Sequence, residues 1–206
     1  MESIAFCFDL DGTVTTEEIL PLLARELDLF DEISLLTQLT MNGQIPFQSS
    51  FKLRVKILST IPIQQVKSII QNVKLDPSIS QFIRNNKKDC FIVTGNLDVW
   101  VEDLIRQKLG CAFYCSTAIR EDHLVKGIGN ILDKSTAILE LKKKYSKIIT
   151  IGDGMNDCAM FELANEGIAY SGVHPPVESL VKMSSFVATN SSSLVHLLHK
   201  IKDHAS

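Results

Sequence analysis

The stretch SIAFCFDLDGT, residues 3–13, decides the fold. Ile4, Ala5, Phe6, Cys7 and Phe8 are apolar without a break. Alternation would mark a half-buried strand, whereas an unbroken short run marks one buried on both faces, as in a parallel sheet. Two aspartates, Asp9 and Asp11, follow at once, although carboxylates are costly to bring to the end of a buried segment. In an extended chain, residues two apart point the same way, and Gly12 permits a sharp turn. Ligands of open α/β sheets bind at the carboxyl ends of the strands. Two adjacent carboxylates repel and call for a cation. Magnesium is hard and oxygen-seeking, and suits such a place. One carboxylate can attack phosphorus and its neighbour can act as general acid and base. Taken alone, the pair also fits turn residues at a strand end, because Asp and Gly favour turns.

Working outward, similar short apolar runs recur at Cys90–Val93, Lys147–Ile151, Gly167–Tyr170 and Phe186–Ala188. Helical patterns separate them. Leu97–Leu109 carries Val101, Leu104, Ile105 and Leu109 on one face and stops at Gly110. Ser135–Tyr145 and Asn156–Asn165 follow, and Ser191 to Ser193 read as a further helix start. Alternating strands and helices predict an α/β fold, a parallel sheet with helices on both faces. From Glu17 to about Leu75 the rhythm breaks. Four helical faces are expected there: Ile19, Leu22, Leu23, Leu27; Ile33, Leu35, Leu36, Leu39; Phe47, Phe51, Val55, Leu58; and Val66, Ile69, Ile70, Val73. This predicts an all-helical insertion, residues 16–75, within a core formed by 1–15 and 76–206. Arg120 to Gly129 reads as a hairpin turning at Asp122-His123.

The chain has 206 residues, 45% hydrophobic and 22% charged, which fits a domain with a smaller insertion. A net charge of −3 offers no broad basic surface, so no nucleic-acid or anionic-membrane partner is expected. No run is long and apolar enough to span a bilayer, and the first residues lack a signal-peptide pattern. Five scattered cysteines form no CxxC pair and read as reduced thiols, so a cytoplasmic protein is expected. The oligomeric state, monomer or homodimer, has no signature here.

The other strand ends turn the aspartate pair into a site. Val93-Thr94-Gly95-Asn96 offers a hydroxyl and a backbone N–H at a helix start, suited to a phosphate oxygen. Lys134 opens the next helix and can offset phosphate charge. Ile151-Gly152-Asp153-Gly154-Met155-Asn156-Asp157 sets two aspartates around two glycines at a strand-to-helix turn, a metal-binding loop. Phosphoryl transfer asks for this combination of positioning and charge neutralisation.

Asp9-Leu10-Asp11-Gly12-Thr13, Thr94-Gly95, Lys134 and Gly152-Asp153-Gly154-Met155-Asn156-Asp157 resemble, in order, the four motifs of the haloacid dehalogenase superfamily. The helical insertion resembles the small cap of its phosphoserine phosphatase-like branch, with Phe47 and Arg54 spaced as in that cap and Glu18 early in it. The resemblance implies a Rossmann-like parallel sheet with a helical cap, and a magnesium-dependent phosphomonoesterase working through an aspartyl-phosphate. It implies Asp9 as nucleophile and Asp11 as general acid and base. Magnesium is implied on the Asp9 carboxylate, the Asp11 carbonyl and Asp153. Thr94, Gly95 and Lys134 are implied on phosphate, Asn156 in support of the phosphate loop, and Asp157 orienting Lys134 or a water at the metal. Arg54 is implied on a substrate carboxylate, Glu18 on a substrate amine, and Phe47 beside them. Asn96-Leu97 stands where that branch carries a second glycine and a phenylalanine, and Thr94 where it carries serine. The chemistry implied is therefore hydrolysis of a small phosphorylated metabolite: phosphoserine or a similar amino-acid phosphate, or alternatively a sugar or methylthio-sugar phosphate. Transfer to an acceptor other than water uses the same aspartates.

Overall fold

The computed structural model describes residues 3–204, and among them a seven-stranded sheet runs in the order β4-β3-β2-β1-β5-β6-β7. The strands are β1 (Ile4–Phe8), β2 (Cys90–Leu97), β3 (Ala112–Glu121), β4 (Leu124–Asn130), β5 (Lys147–Gly152), β6 (Glu166–Tyr170) and β7 (Phe186–Ala188). All neighbours are parallel except β3 and β4, which form an antiparallel hairpin. The turn of that hairpin is at Asp122, with φ of 52°, a left-handed conformation that aspartate tolerates better than most residues.

β1 lies at the centre, and all five of its residues are buried. Phe6 and Phe8 face one side, where Phe82 of α5 (Pro77–Asn85) meets Phe6 edge-on at 5.4 Å. Leu194 and Leu198 of α10 (Ser191–His204) pack into the same core. Ala5 and Cys7 face the other side, against Ala137, Ile138 and Leu141 of α7 (Lys134–Leu141) and Met160 and Phe161 of α8 (Cys158–Phe161). The period of two thus feeds two separate apolar layers, which is why no polar residue interrupts β1. The five cysteines are free thiols.

Between β1 and α5 the described chain is helical: α1 (Ile19–Ala24), α2 (Phe30–Met41), α3 (Phe47–Leu58) and α4 (Ile63–Gln71). The chain enters and leaves this insert side by side. Thr15 bridges Leu75 antiparallel, Thr16 N donates to Lys74 O at 3.0 Å, and Asp76 N donates to Val14 O at 2.9 Å.

Several expectations need correction. Leu35 was placed on the inner face of α2 but is 56% exposed, and the buried residues of that helix are Ile33, Thr37 and Thr40. The threonines replace apolar residues because α2 and α3 meet through a hydrogen-bonded seam, with Thr40 Oγ1 donating to Ser50 Oγ at 2.6 Å. The helix expected over 97–109 begins at Asp98 as α6 (Asp98–Leu104) and closes as a π-turn over Ile105–Leu109, while Leu97 still belongs to β2. The expected 156–165 helix is a 3-10 turn over Met155–Asp157 followed by the short α8. The hairpin pairs from Thr117 with Asn130 to Glu121 with Leu124, and β3 begins earlier than expected because its first half pairs in parallel with β2. α5 and α9 (Glu178–Met183) had no counterpart in the sequence reading. α5 carries a legible start signal, Asp76 accepting from Ser78 N and Ile79 N ahead of a proline in the first turn. Among the described residues no helix is long and apolar enough to cross a membrane.

Candidate active site

The strand order explains the site. β1 sits between β2 and β5, so the carboxyl ends of these strands adjoin. They deliver Asp9 and Asp11, Thr94 to Asn96, and Asp153 to one edge of the sheet. Asp9 N donates to Ile151 O at 2.9 Å, which holds the first aspartate against the end of β5. Gly12, at φ +68°, then turns the chain, a conformation that residues bearing a Cβ rarely adopt.

Lys134, the first residue of α7, is 4% exposed and bridges two buried carboxylates. It donates to Asp9 Oδ1 and, at 2.6 Å, to Asp157 Oδ1. Burial alone would lower the Lys134 ammonium, but Asp157 and Asp9 outweigh it and hold it above its ordinary value. Burial pushes Asp9 well above the usual carboxylate range; Lys134 pulls it down, and Asp157 and Asp11 push it up again. For Asp11, burial and then the Glu18 carboxylate push the acid up to about 7. A carboxyl group titrating there suits proton transfer in both directions at neutral pH.

Asp9, Asp153 and Asp157 bring carboxylate oxygens within 4.8 Å of one another. Asp157 has both oxygens engaged: Oδ1 accepts from Lys134, and Oδ2 accepts from Asp153 N and Gly154 N at 3.0 Å each. Asp153 is buried, and its Oδ2 has no protein partner. Buried polar atoms are normally hydrogen-bonded, and clustered carboxylates repel. The donor set of Asp9 and Asp153 therefore fits a hard divalent cation, with Asp157 bracing the loop that carries Asp153.

Against this edge lies a small pocket of about 60 Å³ that the helical insert also lines. Asp9, Asp11, Asp153, Gly95 and Asn156 line it from the sheet, and Glu18, Phe47 and Arg54 from the insert. Thr94, Lys134 and Asp157 are not among the residues that line it. The Thr94 hydroxyl accepts from Asn96 N at 3.2 Å, which leaves its own proton free to donate. Phe47 stacks on Phe51 at 5.3 Å and presses onto Gly95, where a Cβ would lie 2.3 Å from the ring. Arg54 is 5% exposed; its Nη1 donates to Thr37 Oγ1 at 2.9 Å, while its Nε and Glu18 Oε1 are buried without hydrogen-bond partners. Two residues of opposite charge thus line one pocket. Burial lowers the Arg54 guanidinium, and Glu18 and Asp11 counter that.

Two further residues at the site belong neither to the four motifs nor to the cap residues Glu18, Phe47 and Arg54. Asn96 lines the cavity and donates to Asp11 Oδ2 at 2.5 Å. His174 stands 3.6 Å from Glu18, whose carboxylate raises the imidazole above its ordinary value. His174 follows the carboxyl end of β6, and its position after a strand end was the available signal. A wider groove of about 790 Å³ opens beside the cavity between α1, α2 and the loop that holds His174, sharing Glu18, Thr37 and Met41 with it.

Comparison with known proteins agrees with this geometry. The model of the haloacid dehalogenase-like hydrolase family matches residues 5–165. A phosphoserine phosphatase of Archaeoglobus fulgidus is 30% identical over 177 residues, covering 80% of this chain and 51% of that protein. The chain therefore spans about half the length of that relative. One from Methanocaldococcus jannaschii is 28% identical over 176 residues, covering 79% of this chain and 83% of that protein. A solved structure of a phosphoserine phosphatase with a phospho-aspartyl intermediate analogue superposes with a TM-score of 0.79 at 24% identity, over 91% of this chain and 93% of that one. With its four motifs gathered on one sheet edge and matched across most of its length, the chain belongs to the haloacid dehalogenase-like hydrolase family.

Proposed function

We propose that the protein is a magnesium-dependent phosphomonoester hydrolase acting on a small phosphorylated amino acid such as phosphoserine. One observation carries the reading: Arg54 and Glu18, whose Nε and Oε1 make no hydrogen bond, line the same pocket as Asp9 and Asp11. A ligand with a carboxylate, an ammonium and a phosphate satisfies all of these at once. The names of the relatives support the same substrate.

In this reading residues 16–75 form a cap over a core of 1–15 and 76–206, and substrate enters through the adjoining groove. Asp9 and Asp153, with the Asp11 carbonyl, would hold magnesium, which when bound neutralises charge on the transferring phosphoryl group. Asp9 attacks phosphorus, forming an acyl phosphate as the P–O ester bond breaks. Protonated Asp11 gives its proton to the leaving oxygen. Asp11 then takes a proton from water, whose oxygen attacks phosphorus. The Asp9–phosphate bond breaks, releasing inorganic phosphate and restoring Asp9. Thr94, the Gly95 N–H and Lys134 stabilise the phosphoryl oxygens, and Asn156 supports the loop. Arg54 and Glu18 hold the amino-acid end of the substrate, with Phe47 closing over it.

A magnesium-dependent screen of phosphoserine, phosphothreonine and sugar phosphates tests the reading; preference for a sugar phosphate would overturn the substrate. Arg54→Ala is expected to lower kcat/KM for phosphoserine about 100-fold, as loss of a charge-assisted contact of roughly 3 kcal/mol does. Its effect on p-nitrophenyl phosphate, which has no carboxylate, is expected to be several-fold at most. Equal losses would remove Arg54 from substrate recognition.

Magnesium itself gives a separate readout. Adding it is expected to raise the thermal midpoint, because a ligand that binds only the folded state stabilises it. The rise is expected to be larger at pH 8 than at pH 5, because Asp9 and Asp153, both held above the usual carboxylate range, must shed protons to bind a cation. Asp153→Asn is expected to abolish most of it. An unchanged rise in that variant would place the cation elsewhere.

A further inference from the structure

The end of β2 grips the second aspartate. Asn96 is 4% exposed, and its Nδ2 donates to Asp11 Oδ2 at 2.5 Å. From the opposite side, Ile19 N at the start of α1 donates to Asp11 Oδ1 at 3.0 Å. These two donors fix the plane of the Asp11 carboxyl group. The segment carrying Asn96 is itself pinned: its backbone N donates to Thr94 Oγ1, and Ser116 Oγ of β3 donates to Gly95 O at 2.7 Å. Ser116 Oγ in turn accepts from Leu132 N at 3.0 Å. The pairing of β2 with β3 shifts register between Val93 and Leu97, the irregular stretch that carries Asn96. Asn96 lines the cavity beside Asp11, and its Oδ1 is buried without a partner. Packing alone does not account for a buried carboxamide that satisfies an aspartate while leaving its own oxygen unsatisfied.

We propose that Asn96 is a positioning residue for proton transfer by Asp11, turning that carboxyl group toward the leaving oxygen of the substrate. The inference rests on the hydrolase reading above. The step it serves is the departure of the leaving group, in which the P–O ester bond breaks and the Asp11 proton moves to the ester oxygen. A serine alkoxide needs that proton, whereas p-nitrophenolate leaves with little help. For a reaction through an aspartyl-phosphate, kcat/KM reports the steps up to that departure, so later hydrolysis of the intermediate does not enter it.

The test compares kcat/KM for O-phosphoserine and p-nitrophenyl phosphate in two variants. Asn96→Ala is expected to lower the phosphoserine value by at least about tenfold more than the p-nitrophenyl value, within the range that acid–base catalysis contributes. Asn96→Leu keeps much of the side-chain volume but cannot donate, and the same split is expected. Equal losses on the two esters, or a wild-type ratio in Asn96→Leu, overturn the positioning role while leaving the hydrolase reading intact. A wild-type chain without magnesium-dependent turnover of O-phosphoserine overturns that reading, and this inference with it.

Discussion

Replacing Asp9 by asparagine is expected to lower turnover of O-phosphoserine by on the order of 10⁴-fold or more, the scale seen when a nucleophile is removed. The geometry makes this residue hard to substitute. Asp9 ends the central strand, 6% exposed, with its backbone held by β5 and its carboxylate held by Lys134. An amide at this position has the same size but cannot form the acyl phosphate. Acid quenching of a reaction with labelled substrate is expected to trap a phospho-protein from the wild-type chain and none from Asp9→Asn. Turnover within tenfold of wild type would assign the nucleophile to another side chain.

Lys134→Met is expected to cost about 3–5 kcal/mol of stability at neutral pH, because it leaves buried carboxylates without their cation. The side chains of Lys134, Asp9 and Asp157 are 3%, 8% and 1% exposed, so water screens the triad little. The loss should depend on pH with a definite sign. Burial holds Asp9 above the usual carboxylate range even against the pull of Lys134, and without Lys134 it rises further. An acid whose folded-state pKa exceeds its unfolded value, about 3.9, costs nothing below that value. It costs progressively more as pH rises toward the folded pKa. The deficit of Lys134→Met is therefore expected to be larger at pH 7.5 than at pH 5. Urea unfolding at the two values measures it, and a deficit independent of pH would refute the electrostatic account. Adding Asp157→Asn to Lys134→Met is expected to restore part of the stability, because one of the two orphaned charges is gone.

The central strand was legible from residues 3–13 because burial on both faces leaves an unbroken apolar run, and few other environments ask for one. The strand ends were legible for a related reason: Asp9, Asp11, Asp153 and Asp157 are polar residues set against buried segments, where they are costly. Leu35 misled because periodicity counts apolar residues and takes no account of pairs such as Thr40 and Ser50, which are buried through mutual hydrogen bonds. Arg54 was singled out only by resemblance to a cap residue, and its burial against Thr37 came from the fold. His174 joined the site only when the loop after β6 came back across Glu18.

The sequence by itself determined which residues are polar at strand ends, and so the class of chemistry and the sheet that carries it. Those choices are local, written in the spacing of apolar and acidic residues along one segment at a time. Tertiary structure alone decided which oxygens are engaged and which lack partners. Asp157 has both oxygens bonded, Asp153 keeps one unpartnered, and Asn96 turned from a departure in a motif into a donor to Asp11. Such pairings join residues as far apart as Asp9 and Lys134, separated by 125 positions. They depend on strand order and on the angle at which each loop leaves the sheet, and no spacing within a single segment encodes either.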